Sequence, residues 1–303
     1  MNNLKFQYMK KVILIILFLV SYLTNCQIKA TVIDSKTGEV IPYVNIWIKD
    51  KNIGTTSNEE GKFVLNNIEK FQKIVFSAIG YETLTLKAST IGNKVKLKPK
   101  ITVLPKVIIS YRKKTKEITI GKFKKSKINF YFSCGKNPWI VARYFNYKTD
   151  YDTTPFLKTI RILTKSKVKN SKFIVRLYNV NKDGKPEGYL YNKNIIGVAK
   201  KGKHITTIDL SNLKIKFPKQ GFFIAIEWLI IAPNKHRFKY KMNDIIFKEI
   251  SYEPSIGTIP SKTNENSWIF IGGKWKKVWK NNGPLKRYRN KYNLPAIELL
   301  LTN

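Results

Sequence analysis

Glu227 is the residue whose type and setting could do chemistry, because it interrupts the most apolar run of the chain, Phe222-Phe-Ile-Ala-Ile-Glu-Trp-Leu-Ile-Ile231. A carboxyl among apolar neighbours can act as general acid or base, as one half of a glycosidase pair does. That reaction needs a second carboxylate at a set separation, and neither Asp209 nor Asp244 can be placed beside Glu227 from sequence. The opposing reading is structural: an unpaired buried carboxylate is costly, so Glu227 is expected to meet an arginine of a neighbouring strand, Arg143, Arg161 or Arg176. A non-catalytic protein is the expectation, with hydrolysis through Glu227 as the alternative.

His204 and His236 are the only histidines, and no H-x-x-E or H-E-x-x-H arrangement surrounds them, so the pattern of a zinc peptidase is absent. Asp183 and Glu187 share a turn with two lysines and make a poor Ca²⁺ loop. Neither a metal nor a cofactor is expected. With Cys26 and Cys134 as the only cysteines, a disulfide framework is not what holds the fold, and Cys134 is expected to be buried rather than reactive.

Binding is better supported than catalysis. Tyr144, Phe145, Tyr147 and Tyr151 crowd one turn region, and Trp268, Trp275, Trp279, Tyr288 and Tyr292 crowd the C-terminal fifth among lysines and arginines. Flat aromatic faces beside polar groups suit sugar rings, and aromatics among cations also suit single-stranded nucleic acid. Trp268, Trp275, Trp279, Tyr144 and Tyr147 are the candidate ligand-binding residues; core packing is the competing use of the same rings. The 57 Lys and Arg against 19 Asp and Glu give a net charge of +38. Such an excess fits anionic partners, either envelope polymers such as lipopolysaccharide phosphates or nucleic acid. The lysines are scattered through nearly every strand and turn, which also fits a solvated basic surface.

These side chains sit on strands. Apolar and polar residues alternate over residues 28–34 and 44–49, and strand-like runs of six to ten residues follow at 139–145, 156–163, 173–178, 204–210 and 222–231, with Gly, Asn, Asp and Pro between the runs. No window carries a sustained helical stripe. The chain is therefore read as all-β. Lys5, Lys10 and Lys11 precede an apolar run at 12–20, the pattern of a secretory signal peptide over residues 1–26, and that run is shorter than the roughly 20 residues that span a bilayer. No transmembrane helix is expected after cleavage. Cleavage after Cys26 gives a soluble product; Leu23-Thr24-Asn25-Cys26 also looks like a lipobox with Asn25 where a small residue belongs, so a lipid anchor at Cys26 is the alternative.

Three segments are more specific. Asp34, Thr37, Gly38, Glu39 and Pro42 form a D-x-x-T-G-E turn followed by an apolar residue and Pro; Gly54-Thr-Thr-Ser-Asn58 runs through Gly61 to Phe63; and Phe76-Ser-Ala-Ile-Gly-Tyr-Glu-Thr83 follows. Together they resemble the carboxypeptidase-regulatory-like domain, a transthyretin-type β-sandwich of secreted and outer-membrane proteins of the Bacteroidetes type. The resemblance covers about residues 27–110, departing at Asn58, where Asp is usual, and at Ala30, where Gly is frequent. It implies a docking or structural sandwich without an active site, placed in the periplasm, at the outer-membrane surface or outside the cell, with an outer-membrane protein as a possible neighbour.

Residues 27–115 are accordingly expected to form a transthyretin-like β-sandwich, with its last strand at 103–110, and residues 116–303 a larger jelly-roll-like β-sandwich. The function read from the sequence is a secreted or surface-associated binding or structural protein that takes glycan or anionic envelope polymers.

Overall fold

The computed structural model describes residues 26–100 and 115–303; the signal-peptide segment before Cys26 and the strand expected at 103–110 lie outside the described residues. The first unit has seven strands: β1 (Cys26–Asp34), β2 (Asn45–Ile48), β3 (Gly54–Thr56), β4 (Lys62–Ile68), β5 (Lys73–Ser77), β6 (Leu84–Lys87) and β7 (Lys94–Leu97). They form two sheets in the orders β4-β1-β7 and β3-β2-β5-β6. All pairings are antiparallel except β1 with β7. Alternate residues of β1, β2, β4 and β5 point inward to one core that includes Val32, Ile46, Phe63, Ile74 and Phe76.

The motif residues are the corners of this sandwich. Asp34 accepts the backbone N–H of Lys36 at 2.7 Å and of Thr37 at 3.1 Å, while Gly38 takes φ 75° to close the turn. Its second oxygen accepts the Tyr81 hydroxyl at 3.0 Å, joining the first motif to the third. Backbone donation, first from Lys36, holds the Asp34 carboxyl below the usual carboxylate range. Asn58 accepts the Lys62 N–H at 2.8 Å, which is the bond an Asp would make, so that departure leaves the turn intact. Phe63 packs edge-on against Phe76 at 5.6 Å.

The second unit begins with β8 (Glu117–Ile120), β9 (Tyr131–Cys134), β10 (Ile140–Phe145), β11 (Phe156–Ser166), β12 (Ser171–Val180), β13 (Pro186–Tyr189), β14 (Ile195–Ala199) and β15 (Gly202–Asp209). It continues with β16 (Phe222–Trp228), β17 (Lys235–Met242), β18 (Ile245–Ser261), β19 (Ser267–Ile271), β20 (Lys274–Lys277), β21 (Lys280–Asn281), β22 (Lys291–Pro295) and β23 (Ile297–Thr302). One sheet runs β13-β12-β16-β10-β19-β20, and the other β21-β22-β18-β11-β23-β8, with β9, β15 and β17 attached to the second. In chain order β10, β11, β12, β15, β16, β18, β19 and β22 fall alternately in the two sheets, as in a jelly-roll-like sandwich, while β13, β14, β17 and β23 lie in the same sheet as the strand before or after them. The protein is all-β, as its patterning predicts.

Strand β16 lies between β10 and β12 and is buried along its whole length. Phe222, Ile224, Ile226 and Trp228 enter the main core between the sheets. On its other face, Phe223 and Ala225 join a second cluster with Ile140, Ala142, Tyr178 and Trp268. Burial on both faces is why the strand reads as an unbroken apolar run.

Glu227, on that outer face, faces the first sandwich. Arg176 Nε donates to Glu227 Oε2 at 2.7 Å, with both side chains only 3% exposed, and Asn45 Nδ2 of β2 donates to Oε1. Around them Tyr43 packs on Ile174, Leu229 and Ile231, Ile230 N–H donates to Thr56 Oγ1 at 3.2 Å, and Lys172 pairs with Glu59. Gly54 lies so close to the second unit that a Cβ there would stand 2.9 Å from Pro138 Cγ. The two sandwiches are thus docked through a continuous seam. Arg176→Met, which strands the carboxylate, is expected to cost about 3–5 kcal/mol in urea unfolding, and adding Glu227→Gln is expected to restore at least half of that loss.

Candidate functional site

Beside this seam opens a pocket of about 580 Å³. It is lined by β9 and the turn that follows it, by β19, by the segment linking β20 to β22, and, from the first sandwich, by Asn52. Three kinds of side chain meet there: rings (Phe130, Phe132, Trp139, Trp279), amides (Asn52, Asn137, Asn281, Asn282, Asn293) and the cations Lys136 and Lys280. Trp139 is held by stacking on the core residue Trp228, with centroids 4.8 Å apart, and by Phe132 edge-on at 5.5 Å. Trp228 is itself fixed by donating Nε1–H to Pro254 O at 2.6 Å.

Trp279 owes its position to alternation. Val278 turns into the main core and donates its N–H to Ser267 O at 3.1 Å, so the next side chain must turn outward, and Trp279 is 65% exposed. Within the amide wall, Asn281 Oδ1 accepts Gly283 N–H at 2.7 Å, but Asn281 Nδ2 and Asn293 Oδ1 have no hydrogen-bond partner among the described residues. Both of those atoms are buried, so what the pocket offers a ligand directly is the exposed indole face of Trp279 and the outward-facing amides of Asn137 and Asn282.

The five aromatic candidates do not gather at one place. Trp279 lines the pocket. Trp268 is buried in the outer-face cluster, where Lys277 Nζ lies 4.6 Å over its ring, and Trp275 packs on the same cluster, edge-on to Tyr178 at 5.4 Å. Tyr144 packs on Phe223 and donates its hydroxyl to Gln220 O at 2.8 Å. Tyr147 packs on Phe217 beneath Lys219, 4.4 Å from its ring centroid. The pocket residues Phe132, Trp139, Asn281 and Asn293 belong to strands and a linker whose sequence signals only strand and turn. Their one prior sign is the density of Asn at 281 and 282 next to Lys280 and Trp279.

The other residues with chemical potential are occupied. Glu227 is bound by Arg176 and Asn45, while Asp209 ends β15 in the other sheet and Asp244 sits at the turn between β17 and β18. Cys134, buried between the lining residues Ser133 and Gly135, donates to Asn137 O at 3.4 Å, and burial pushes its thiol up to about 12. Among the described residues no group of three His, Cys, Asp or Glu side chains could hold a metal, and no helix is long and apolar enough to cross a membrane.

The fold defines an all-β protein of two docked sandwiches. Residues 28–109 match the family model of the CarboxypepD_reg-like domain, and this part of the chain is a carboxypeptidase-regulatory-like domain. No curated protein matches the chain. Among solved structures it is similar to the cysteine protease and lectin-like domains of Cwp84, a surface-layer-associated protein of Clostridium difficile, with 13% identity, 56% of this chain and 33% of that chain covered, and TM-score 0.35. Another is the clostridial cysteine protease Cwp84 after propeptide cleavage, with 11% identity, 82% and 50% covered, and TM-score 0.41. A third is the infectious bursal virus-derived T=1 particle, with 12% identity, 86% and 55% covered, and TM-score 0.27. The chain spans about a third to a half of the two protease chains. These likenesses are distant, and no functional conclusion rests on them.

The two tryptophans should separate cleanly in denaturant melts. Trp279→Ala is expected to leave stability within about 0.5 kcal/mol, and Trp268→Ala to cost about 3–5 kcal/mol. Native protein treated with iodoacetamide at pH 8 should show no modification of Cys134 by mass spectrometry, and full modification once unfolded, because at that pH a thiol titrating near 12 is protonated as well as buried.

Proposed function

We propose that this protein is an exported, surface-associated, non-catalytic binding protein that holds a glycan in the pocket beside the seam. The observation that carries this reading is Trp279: a large, solvent-facing ring that lines the same pocket as Trp139, with asparagine and lysine side chains in the same lining. A sugar ring offers an apolar face to the indole and hydroxyls to the exposed amides of Asn137 and Asn282, and the lining cations Lys136 and Lys280 favour a saccharide that carries carboxylate or phosphate. The commitment of Glu227 to Arg176 and Asn45 supports the non-catalytic part, since a carboxylate tied on both oxygens is not available for proton transfer.

A second reading, adhesion to anionic polymers by charge alone, is favoured by the net charge of +38. Retention of the mature chain on immobilised neutral and acidic polysaccharides across a salt series distinguishes the two. Pocket binding is expected to persist at high salt on one glycan and to weaken by about fivefold or more in Trp279→Ala, whereas charge-driven adhesion loses log affinity linearly with log salt and ignores that substitution. If no polysaccharide is retained at any salt, the glycan reading fails.

A further inference from the structure

The β17–β18 hairpin leaves the sandwich. β17 pairs only with β18, and the pairing of β18 with β9, β11 and β22 begins at Tyr252, so the part from Arg237 to Ile250 is a free two-stranded arm. At the rise of an antiparallel strand it reaches roughly 20 Å from the sheet. Asn243 and Asp244 close it with φ 45° and 63°, the twist-matched two-residue turn of a hairpin.

Its register gives two faces, one mostly of rings and one mostly of cations. Phe238 paired with Glu249, Tyr240 with Phe247, and Met242 with Ile245 share the first, where the rings stack at 6.3 Å and 5.2 Å. Arg237 paired with Ile250, Lys239 with Lys248, and Lys241 with Ile246 share the second. The tip is aliphatic on both faces: Met242 and Ile245 end the ring face and Ile246 ends the cationic face, and they are 55%, 60% and 63% exposed. Over residues 235–250 five Lys and Arg stand against Asp244 and Glu249, and Asp244 is taken by Lys241 at 2.7 Å.

We propose that this hairpin is a membrane-docking arm, whose aliphatic tip enters the interfacial layer of an anionic phospholipid bilayer while its cationic face meets the headgroups. Aliphatic side chains offer no ring face and no hydrogen bond, so the partner must supply hydrocarbon next to anions, which a lipid surface does. The apolar stems of Lys239, Lys241 and Lys248 can lie along that boundary with their ammonium groups in water, and Tyr240 suits the headgroup level. Single-stranded nucleic acid fits less well, because the rings of the ladder face one another rather than standing apart for bases, and it leaves the tip unused. This inference is independent of the glycan pocket.

The test is flotation of the mature chain with vesicles of phosphatidylcholine alone or mixed with phosphatidylglycerol, at low and high salt. The expected result is binding to mixed vesicles that survives high salt and falls about tenfold or more in Met242→Ser/Ile245→Ser/Ile246→Ser, a variant of unchanged charge. At low salt, Lys239→Ser/Lys241→Ser/Lys248→Ser should bind more weakly than Lys87→Ser/Lys94→Ser/Lys96→Ser, which removes the same charge from the first sandwich. All these side chains are exposed, so circular dichroism should show unchanged folding. The proposal is overturned if wild type does not float, if the tip variant floats equally, or if the two lysine variants are equal. It is overturned in favour of nucleic acid if a single-stranded oligonucleotide releases the protein from vesicles and Phe238→Ser/Tyr240→Ser abolishes oligonucleotide binding without changing flotation.

Discussion

A carboxylate in the middle of a doubly buried strand dictates what must stand beside it. Glu227 cannot be left in the apolar layer around β16 without cations or donors for both oxygens, and it receives one from its own sheet, Arg176, and one from the first sandwich, Asn45. Arg176 in turn donates to Asn194 Oδ1 at 2.6 Å, so the guanidinium is not left with the carboxylate alone. This bracket orients one sandwich on the other. Tyr43, Thr56 and Gly54 then reach their contacts because β2 and β3 are laid against β16 and the turn at Pro138. The pocket edge contributed by Asn52 follows from the same placement.

The three arginines considered as partners of Glu227 show how burial selects a solution. Arg176 lies diagonally across from Glu227 on the same face of paired strands and takes it. Arg143, half-buried, turns its guanidinium to carbonyl oxygens instead, donating to Ile297 O at 2.7 Å, and desolvation lowers it to about 10. Arg161, half-exposed, pairs with Glu298 on the adjacent β23. A buried cation is tolerated wherever its donors are met, whether by carboxylate or by backbone.

Much of the first sandwich was legible because its turns are local: Asp34, Gly38, Asn58 and Gly61 act within a few residues, and the spacing shows it. An arginine partner for Glu227 was legible as a class from the cost of burying a charge, but not as Arg176, since the choice depends on register between strands 51 residues apart. The Asn45 contact, across 182 residues, leaves no local trace at all. Trp268 and Trp279 look alike in sequence, each with one polar and one apolar neighbour, and differ only because the outer face of one sheet is covered and the edge beyond Val278 is not. The hairpin arm alternates rings with lysines in plain view at 236–241, yet alternation alone does not tell a half-buried strand from one that stands free.

The parallel pairing of β1 with β7 has a mechanical side. β1 is gripped by β4 on one edge and by β7 on the other, with its hydrogen bonds crossing the strand axis on both. A pull along the axis from the Cys26 end must slide the strand lengthwise past both neighbours, so its bonds share the load and fail together instead of unzipping singly. Tension applied at that end would be borne by the small sandwich as a shear clamp, before it reached the seam or the larger sandwich behind it.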